Sequence, residues 1–120
     1  MELDTSRLDT RQIDQGIVLT PRDHRIADAW EAVELKAEIF TAIEQARPAN
    51  VIIDFAHVQF VTASICPLLL DIQRKAHELG SQLKLTNLSP GVHNILELTE
   101  LANIFDISPA DSYTADSAGS

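Results

Sequence analysis

The stretch from Val51 to Leu70, V-I-I-D-F-A-H-V-Q-F-V-T-A-S-I-C-P-L-L-L, decides the fold. V-I-I-D-F (51–55) is a short apolar run rich in β-branched residues. It is too short for a buried helix and suits a central strand. A turn follows, then a second hydrophobic touch, then a helix over 64–79. The stripe of that helix is Ile65, Leu69, Ile72, Ala76 and Leu79, which recur at helical spacing, and Gly80 stands where a C-cap belongs. Pro67 is tolerated only in a first turn, where amides have no intrahelical partner, so the N-cap falls at Ala63 or Ser64. The hydroxyl favours Ser64.

Working outward, I-V-L-T (17–20) reads as a strand ended by Pro21, with a weak strand at 7–13 before it and a polar loop, R-D-H-R (22–25), after it. Asp28 followed by Glu31 has the spacing of a capping box. The apolar residues Trp30, Val33, Ala37 and Phe40, with Ile39 and Ile43 alongside, then predict a helix in which Trp30 anchors the core. On the C-terminal side, Q-L-K-L-T (82–86) reads as a strand. Ser89-Pro90 opens another helix, with Ser as N-cap and Pro at the first helical position. Its apolar face is Val92, Ile95, Leu96 and Leu98. Leu101, Ile104, Phe105 and Ile107 predict a short helix and a last strand. Residues 108–120 form a polar tail expected to be flexible.

The order strand, helix, strand, helix, strand, helix predicts an α/β domain over 1–107. The layer rule gives a small sheet with helices against it, its strands joined in parallel through the helices after an N-terminal hairpin.

The 120 residues carry 18 acidic and nine basic side chains, a formal net charge of -9. That argues against nucleic acid and anionic membrane surfaces as partners. No apolar run approaches the ~20 residues of a membrane span, and the acidic, mixed start is unlike a secretory leader. A cytoplasmic location is the expectation. Cys66, the single cysteine, excludes an internal disulfide and a multi-cysteine metal site.

Chemistry-bearing residues are few. His24, His57, His77 and His93 show no metal-ligand spacing, and a Cys66–His57 dyad is less economical than Cys66 as a small buried hydrophobe. Asp54 ends a strand, a place for catalytic carboxylates in open α/β sheets, but orders the strand-to-turn segment in the plainer reading. The four glycines form no phosphate loop. The turn Thr62-Ala63-Ser64 is different, because a helix begins there and unpaired amides favour negative charge. Its plain reading is that Ser64 caps the helix and Thr62 ends the strand.

Residues 51–70 together with A-H-E-L-G-S-Q-L-K-L-T-N-L-S-P-G-V-H-N-I-L-E-L-T-E-L-A-N-I-F resemble the STAS domain family of anti-sigma factor antagonists and their relatives. The resemblance covers about residues 8–107. It follows the family order of strand, D-L-x-x-V, D-S-x-G-L, apolar helix, glycine, strand and S-P-x-V. It implies a small mixed β-sheet with helices packed mainly on one face, and a non-enzymatic protein-binding domain without a cofactor. The implied partner is an anti-sigma factor with a histidine-kinase-like ATPase fold, which phosphorylates the hydroxyl residue after the motif Asp and so prevents binding.

The match departs from the family at the decisive positions. Thr62 stands for the motif Asp, Ala63 for the phosphoacceptor, Ile65 for the motif Gly and Cys66 for the following Leu. Glu100 falls where a late glycine is usual. The resemblance therefore implies a domain lacking the usual phosphoserine switch. The expected partner surface is Thr62, Ala63, Ser64 and Ile65, with Asp23 and His24 of the preceding loop and the exposed side of helix 64–79, including Arg74. The alternative is a STAS subunit of a lipid-transport or signalling scaffold complex.

Overall fold

The computed structural model describes residues 7–14 and 16–108. Strand β1 (Leu8–Ile13) and strand β2 (Gly16–Pro21) form an antiparallel hairpin in which Leu8 faces Pro21 and Ile13 faces Gly16. A two-residue strand β3 (Arg25–Ile26) precedes helix α1 (Ala29–Ala46). Strand β4 (Asn50–Asp54) is followed by a second two-residue strand, β5 (Phe60–Val61), and by helix α2 (Ile65–Glu78). Strand β6 (Gln82–Thr86), helix α3 (Pro90–Leu98), a 3-10 turn (Leu101–Asn103) and strand β7 (Asp106–Ser108) complete the order. The expected tail over 109–120 lies outside the described residues.

The main sheet has five strands in the order β1-β2-β4-β6-β7, parallel from β2 onward. Each helical crossover steps one strand further in the same direction. Crossovers of one hand that advance in one direction leave their helices on one face. Alternation then divides the strands. Ile17, Leu19, Val51, Ile53, Leu83 and Leu85 face the helices and join one core with Leu35, Ile39 and Ile43 of α1 and Leu69, Ile72 and Ala76 of α2. Val18 and Ile52 are buried too, but lie outside that core and face the other way. Each such aliphatic side chain removed from water stabilises the fold by about 1.5–3 kcal/mol.

The helix ends follow local chemistry. The Asp28 carboxylate accepts from the Glu31 amide at 2.9 Å and Glu31 accepts from the Asp28 amide, so the capping box is formed. At α3 the Ser89 hydroxyl oxygen accepts from the Val92 amide, with Pro90 at the first helical position. After α2, Gly80 takes φ +79°. The Gly80 amide donates to His77 and the Ser81 amide to Ala76, at 3.0 and 2.8 Å, which makes a Schellman closure.

Several expectations are corrected. Trp30 is not a core anchor: it is 68% exposed, and Val33 is 51% exposed. Helix α1 instead buries Ala32, Leu35, Ile39 and Ile43, a stripe rotated away from Trp30, Val33 and Ala37. Helix α1 carries two apolar stripes, and only contact with β1, β2 and α2 chooses between them. Phe40 sits half-buried between the two, with the Lys36 and Lys75 ammonium groups 5.9 and 5.7 Å from its ring centre. On α3, Leu98 is exposed and does not join Val92 and Leu96 in the core. The sequence does not predict β3, and it marks β5 only as a second hydrophobic touch ended by Thr62, because two residues are too few to show a period.

Candidate functional site: the turn before α2

Strands β3 and β5 form a separate parallel ribbon, with Arg25 opposite Phe60 and Ile26 opposite Val61. Ile26 and Val61 point into the core, while Arg25 and Phe60 point out, the guanidinium 5.3 Å from the ring centre. The His24 carbonyl accepts from the Gln59 and Phe60 amides, and the Ile26 carbonyl accepts from the Thr62 amide. The ribbon therefore holds the 22–25 loop beside the 59–62 segment, two regions far apart in sequence.

One hydroxyl completes the joint. Thr62 Oγ1 donates to the Ala27 carbonyl at 2.9 Å and lies 2.7 Å from Ser64 Oγ. A threonine hydroxyl has one proton. With that proton on Ala27, the Ser64 hydroxyl donates to Thr62, and the Ser64 amide reaches the same oxygen at 3.4 Å. Ser64 thus occupies the N-cap position without capping: its backbone is already helical and its side chain makes no bond to the α2 amides. This corrects the expectation that Ser64 caps α2 in the ordinary way.

The electrostatics of the turn are corrected as well. The Ile65 amide donates to the Thr62 carbonyl and the Cys66 amide to the Ala63 carbonyl, each at 3.0 Å. The next residue, Pro67, has no N–H. The amides that make a helix start attractive to a phosphate are therefore either engaged or absent. Ala63 is exposed at the tip of the turn and offers only a methyl group, while Ile65 is fully buried beneath it.

The remaining expected residues separate into two groups. His24 is exposed beside the ribbon. Asp23 is held by Arg7: the guanidinium bonds Asp23 at 2.8 Å and Glu34 at 2.9 Å, and the Arg7 amide donates to Glu38 at 3.0 Å. The hydrogen bond that Arg7 donates to Asp23, with the charges of Asp23 and Glu34, raises the Arg7 pKa above its ordinary value against the opposing effect of burial. Asp54 Oδ1 accepts from the Ala56 amide at 2.9 Å and from Asn87 Nδ2 at 2.8 Å, which ties the ends of β4 and β6 together. Arg74 is exposed on α2 and bonds Asp71, which also bonds Lys36 at 3.0 Å. The Arg74 hydrogen bond, followed by that of Lys36, lowers the Asp71 pKa. Among the described residues no group of three or more His, Cys, Asp or Glu side chains is placed to hold a metal ion, and no helix is long and apolar enough to cross a membrane.

Sequence reasoning missed Ala27 and Arg7. Neither carries a motif, and each acts through a contact some 30 residues away in sequence, 35 for Ala27 with Thr62 and 31 for Arg7 with Glu38.

Glu100 takes φ +65°, a left-handed backbone that glycine adopts without strain. The position where a glycine is usual thus keeps the glycine conformation here.

Comparison with known proteins agrees with this arrangement. The STAS domain family model matches residues 12–112. The unphosphorylated anti-sigma factor antagonist SpoIIAA superposes with a TM-score of 0.71 at 19% identity, covering 94% of this chain and 97% of that one. An anti-sigma factor antagonist (STAS) domain protein from Planctomyces limnophilus gives 0.77 at 20% identity, covering 94% and 98%. A chain of the stressosome, described as a signal integration and transduction hub, gives 0.58 at 18% identity, covering 82% and 85%. With the sheet order, the one-sided helical layer and the turn before α2 all in place, the chain belongs to the STAS domain family.

Proposed function

We propose that this chain is a non-enzymatic regulatory domain that binds a kinase-type anti-sigma factor and is not released by phosphorylation at the usual position. The observation that carries this reading is the chemistry of Ala63. It is exposed where the family's phosphoacceptor falls, has no hydroxyl, and sits over a helix start whose amides are engaged or, at Pro67, absent. The ribbon of β3 and β5 supports a composite surface, because it holds His24 beside the turn. The two nearby hydroxyls are poor substitutes for the missing one. Thr62 is bonded to Ala27, and Ser64 is bonded to Thr62.

The test is a binding titration against the histidine-kinase-like ATPase anti-sigma factors encoded in the same genome, with magnesium and ATP, followed by intact-mass measurement. A complex that persists in ATP, with no phosphoryl group added, is the expected result. No complex with any of them, or stoichiometric phosphate on Ser64 or Thr62, overturns the reading. Stable incorporation into a multi-subunit assembly instead would favour the scaffold reading, for which the likeness to the stressosome chain is the motive.

A further inference from the structure

Strand β1 is one outer edge of the five-stranded sheet. An outer strand offers its unpaired amides and carbonyls to any second strand, and folds blunt such edges with Lys, Pro or a bulge. Strand β1 has none of these. Its sequence is L-D-T-R-Q-I, its register with β2 runs unbroken over six pairs, and Asp9, Thr10, Arg11 and Gln12 are all exposed. The opposite edge, β7, has only three residues.

The hairpin fixes which backbone groups point outward. The Arg22 amide donates to the Arg7 carbonyl, and Pro21, which has no N–H, stands opposite Leu8. Hydrogen-bonded and non-hydrogen-bonded pairs alternate along an antiparallel ladder. Asp9, Arg11 and Ile13 therefore bond across to β2, while Thr10 and Gln12 turn their amides and carbonyls away from it. The side chains alternate as well. Leu8 joins the core, so Thr10 and Gln12 share its face, and Asp9 and Arg11 lie on the face away from the helices.

The charges on that face select one occupant for the edge. Arg11 meets no carboxylate among the described residues. Asp9 receives Arg22 on Oδ1 alone. Two copies of β1 meet antiparallel, outward groups facing, about a two-fold axis through Asp9, Thr10 or Arg11. Centred on Asp9, two aspartates oppose each other, and centred on Arg11, two arginines do. Centred on Thr10, Asp9 of each protomer faces Arg11 of its partner, Thr10 faces Thr10, and Gln12 faces Leu8. Opposite charges and Thr–Thr pairs stabilise a ladder, while like charges destabilise it. The Asp9–Arg11 pairs also take the non-hydrogen-bonded positions, where side chains approach most closely.

We infer that β1 is a self-complementary interface: two copies of this chain pair through it, antiparallel and centred on Thr10, and join their sheets into one. A two-fold contact uses the same patch on both copies, as this strand does. The inference goes beyond the proposed function and does not depend on it. The contact is small, and two chains of net charge -9 repel each other, so the dimer is of the weak class.

The test is sedimentation of the full chain at about 0.15 M salt, where repulsion between charges beyond ~8 Å is screened and pairs in contact persist. Self-association that rises with concentration up to about 1 mM is the expected result. Asp9→Arg alone and Arg11→Asp alone each set like charges opposite, and each is expected to weaken association by about tenfold or more. An equimolar mixture of the two variants restores opposite charges at both pairs, and should form a heterodimer of wild-type affinity. Thr10→Pro removes an outward amide and no bond to β2, so it should abolish association while the hairpin stays folded. In amide exchange, Thr10 and Gln12 should gain protection as concentration rises, with Asp9 and Arg11 protected throughout.

A wild type that stays monomeric over that range overturns the inference. So does a dimer that survives Thr10→Pro, or a mixture that associates no better than its two parts. Asp9→Arg also loses the bond to Arg22, and its urea midpoint reports any cost to folding. Arg11→Asp breaks no ion pair among the described residues, and with Thr10→Pro it decides the matter alone.

Discussion

The Thr62 hydroxyl donates to the Ala27 carbonyl at 2.9 Å and so joins the end of β5 to the loop that opens α1. The same oxygen lies 2.7 Å from Ser64 Oγ, which extends the joint to the start of α2. Replacing Thr62 by Val keeps the shape of the side chain and removes the hydroxyl. A buried or half-buried polar partner left without its bond costs about 1–3 kcal/mol. Thr62→Val is expected to lower stability by about that amount in urea unfolding. Amide hydrogen exchange should rise in both 26–28 and 62–66, and a change confined to one segment would show that the hydroxyl does not couple them.

Ala63 lies at the exposed tip of the same turn. A negative charge there meets no buried group, so Ala63→Asp is expected to leave stability within about 0.5 kcal/mol of the wild type. Its effect belongs to binding. A carboxylate at the centre of the proposed contact should weaken the complex with a kinase-type anti-sigma factor by about tenfold or more. Unchanged affinity in the titration would place the contact elsewhere.

Asp71 sets an acid-side dependence. Hydrogen bonds from Arg74 and Lys36 lower its pKa in the folded state. A carboxyl group with a depressed folded pKa contributes stability above the unfolded value of about 4, and that contribution is lost as pH falls through the folded pKa. The wild type is therefore expected to exceed Asp71→Asn in stability by its full margin at neutral pH. The margin should close below about pH 4. Urea midpoints across pH measure it at constant ionic strength, and a margin that grows on acidification would contradict the assignment.

Glu100 holds φ +65° without a glycine's freedom. The left-handed conformation costs a non-glycine residue about 1–2 kcal/mol, while glycine loses about 0.5–1 kcal/mol more in conformational entropy on folding. Glu100→Gly is thus expected to stabilise the chain by up to about 1 kcal/mol, read from the unfolding midpoint. Destabilisation would show that the Glu100 side chain does more than tolerate its backbone.

Gly16 is the opposite case. A Cβ there would stand 2.0 Å from the Asn50 carbonyl oxygen, in the backbone at the start of β4. The strands cannot both stay in place, and Gly16→Ala is expected to cost about 2 kcal/mol or more. Thermal unfolding would report it, together with faster exchange of the β1–β2 hairpin amides.

The local sequence determined every element whose signal lies within one or two turns of chain. The Asp28–Glu31 capping box, the Ser89-Pro90 start, the Gly80 closure and the Ile65–Leu79 stripe all formed as read, because each depends on neighbours three to six residues away. The strands at 51–55 and 82–86 were legible for the same reason, within one residue at their ends. What only the tertiary structure decided depends on partners distant in sequence. Helix α1 offers two apolar stripes, and the sheet with α2 buried Leu35 and Ile39 while leaving Trp30 and Val33 in solvent. Ser64 had the chemistry of a cap, but its backbone is already helical and its side chain turns to the Thr62 hydroxyl, fixed by Ala27, so its oxygen takes no α2 amide. A side chain's type limits which bonds it can make, and long-range packing fixes which of them it does make.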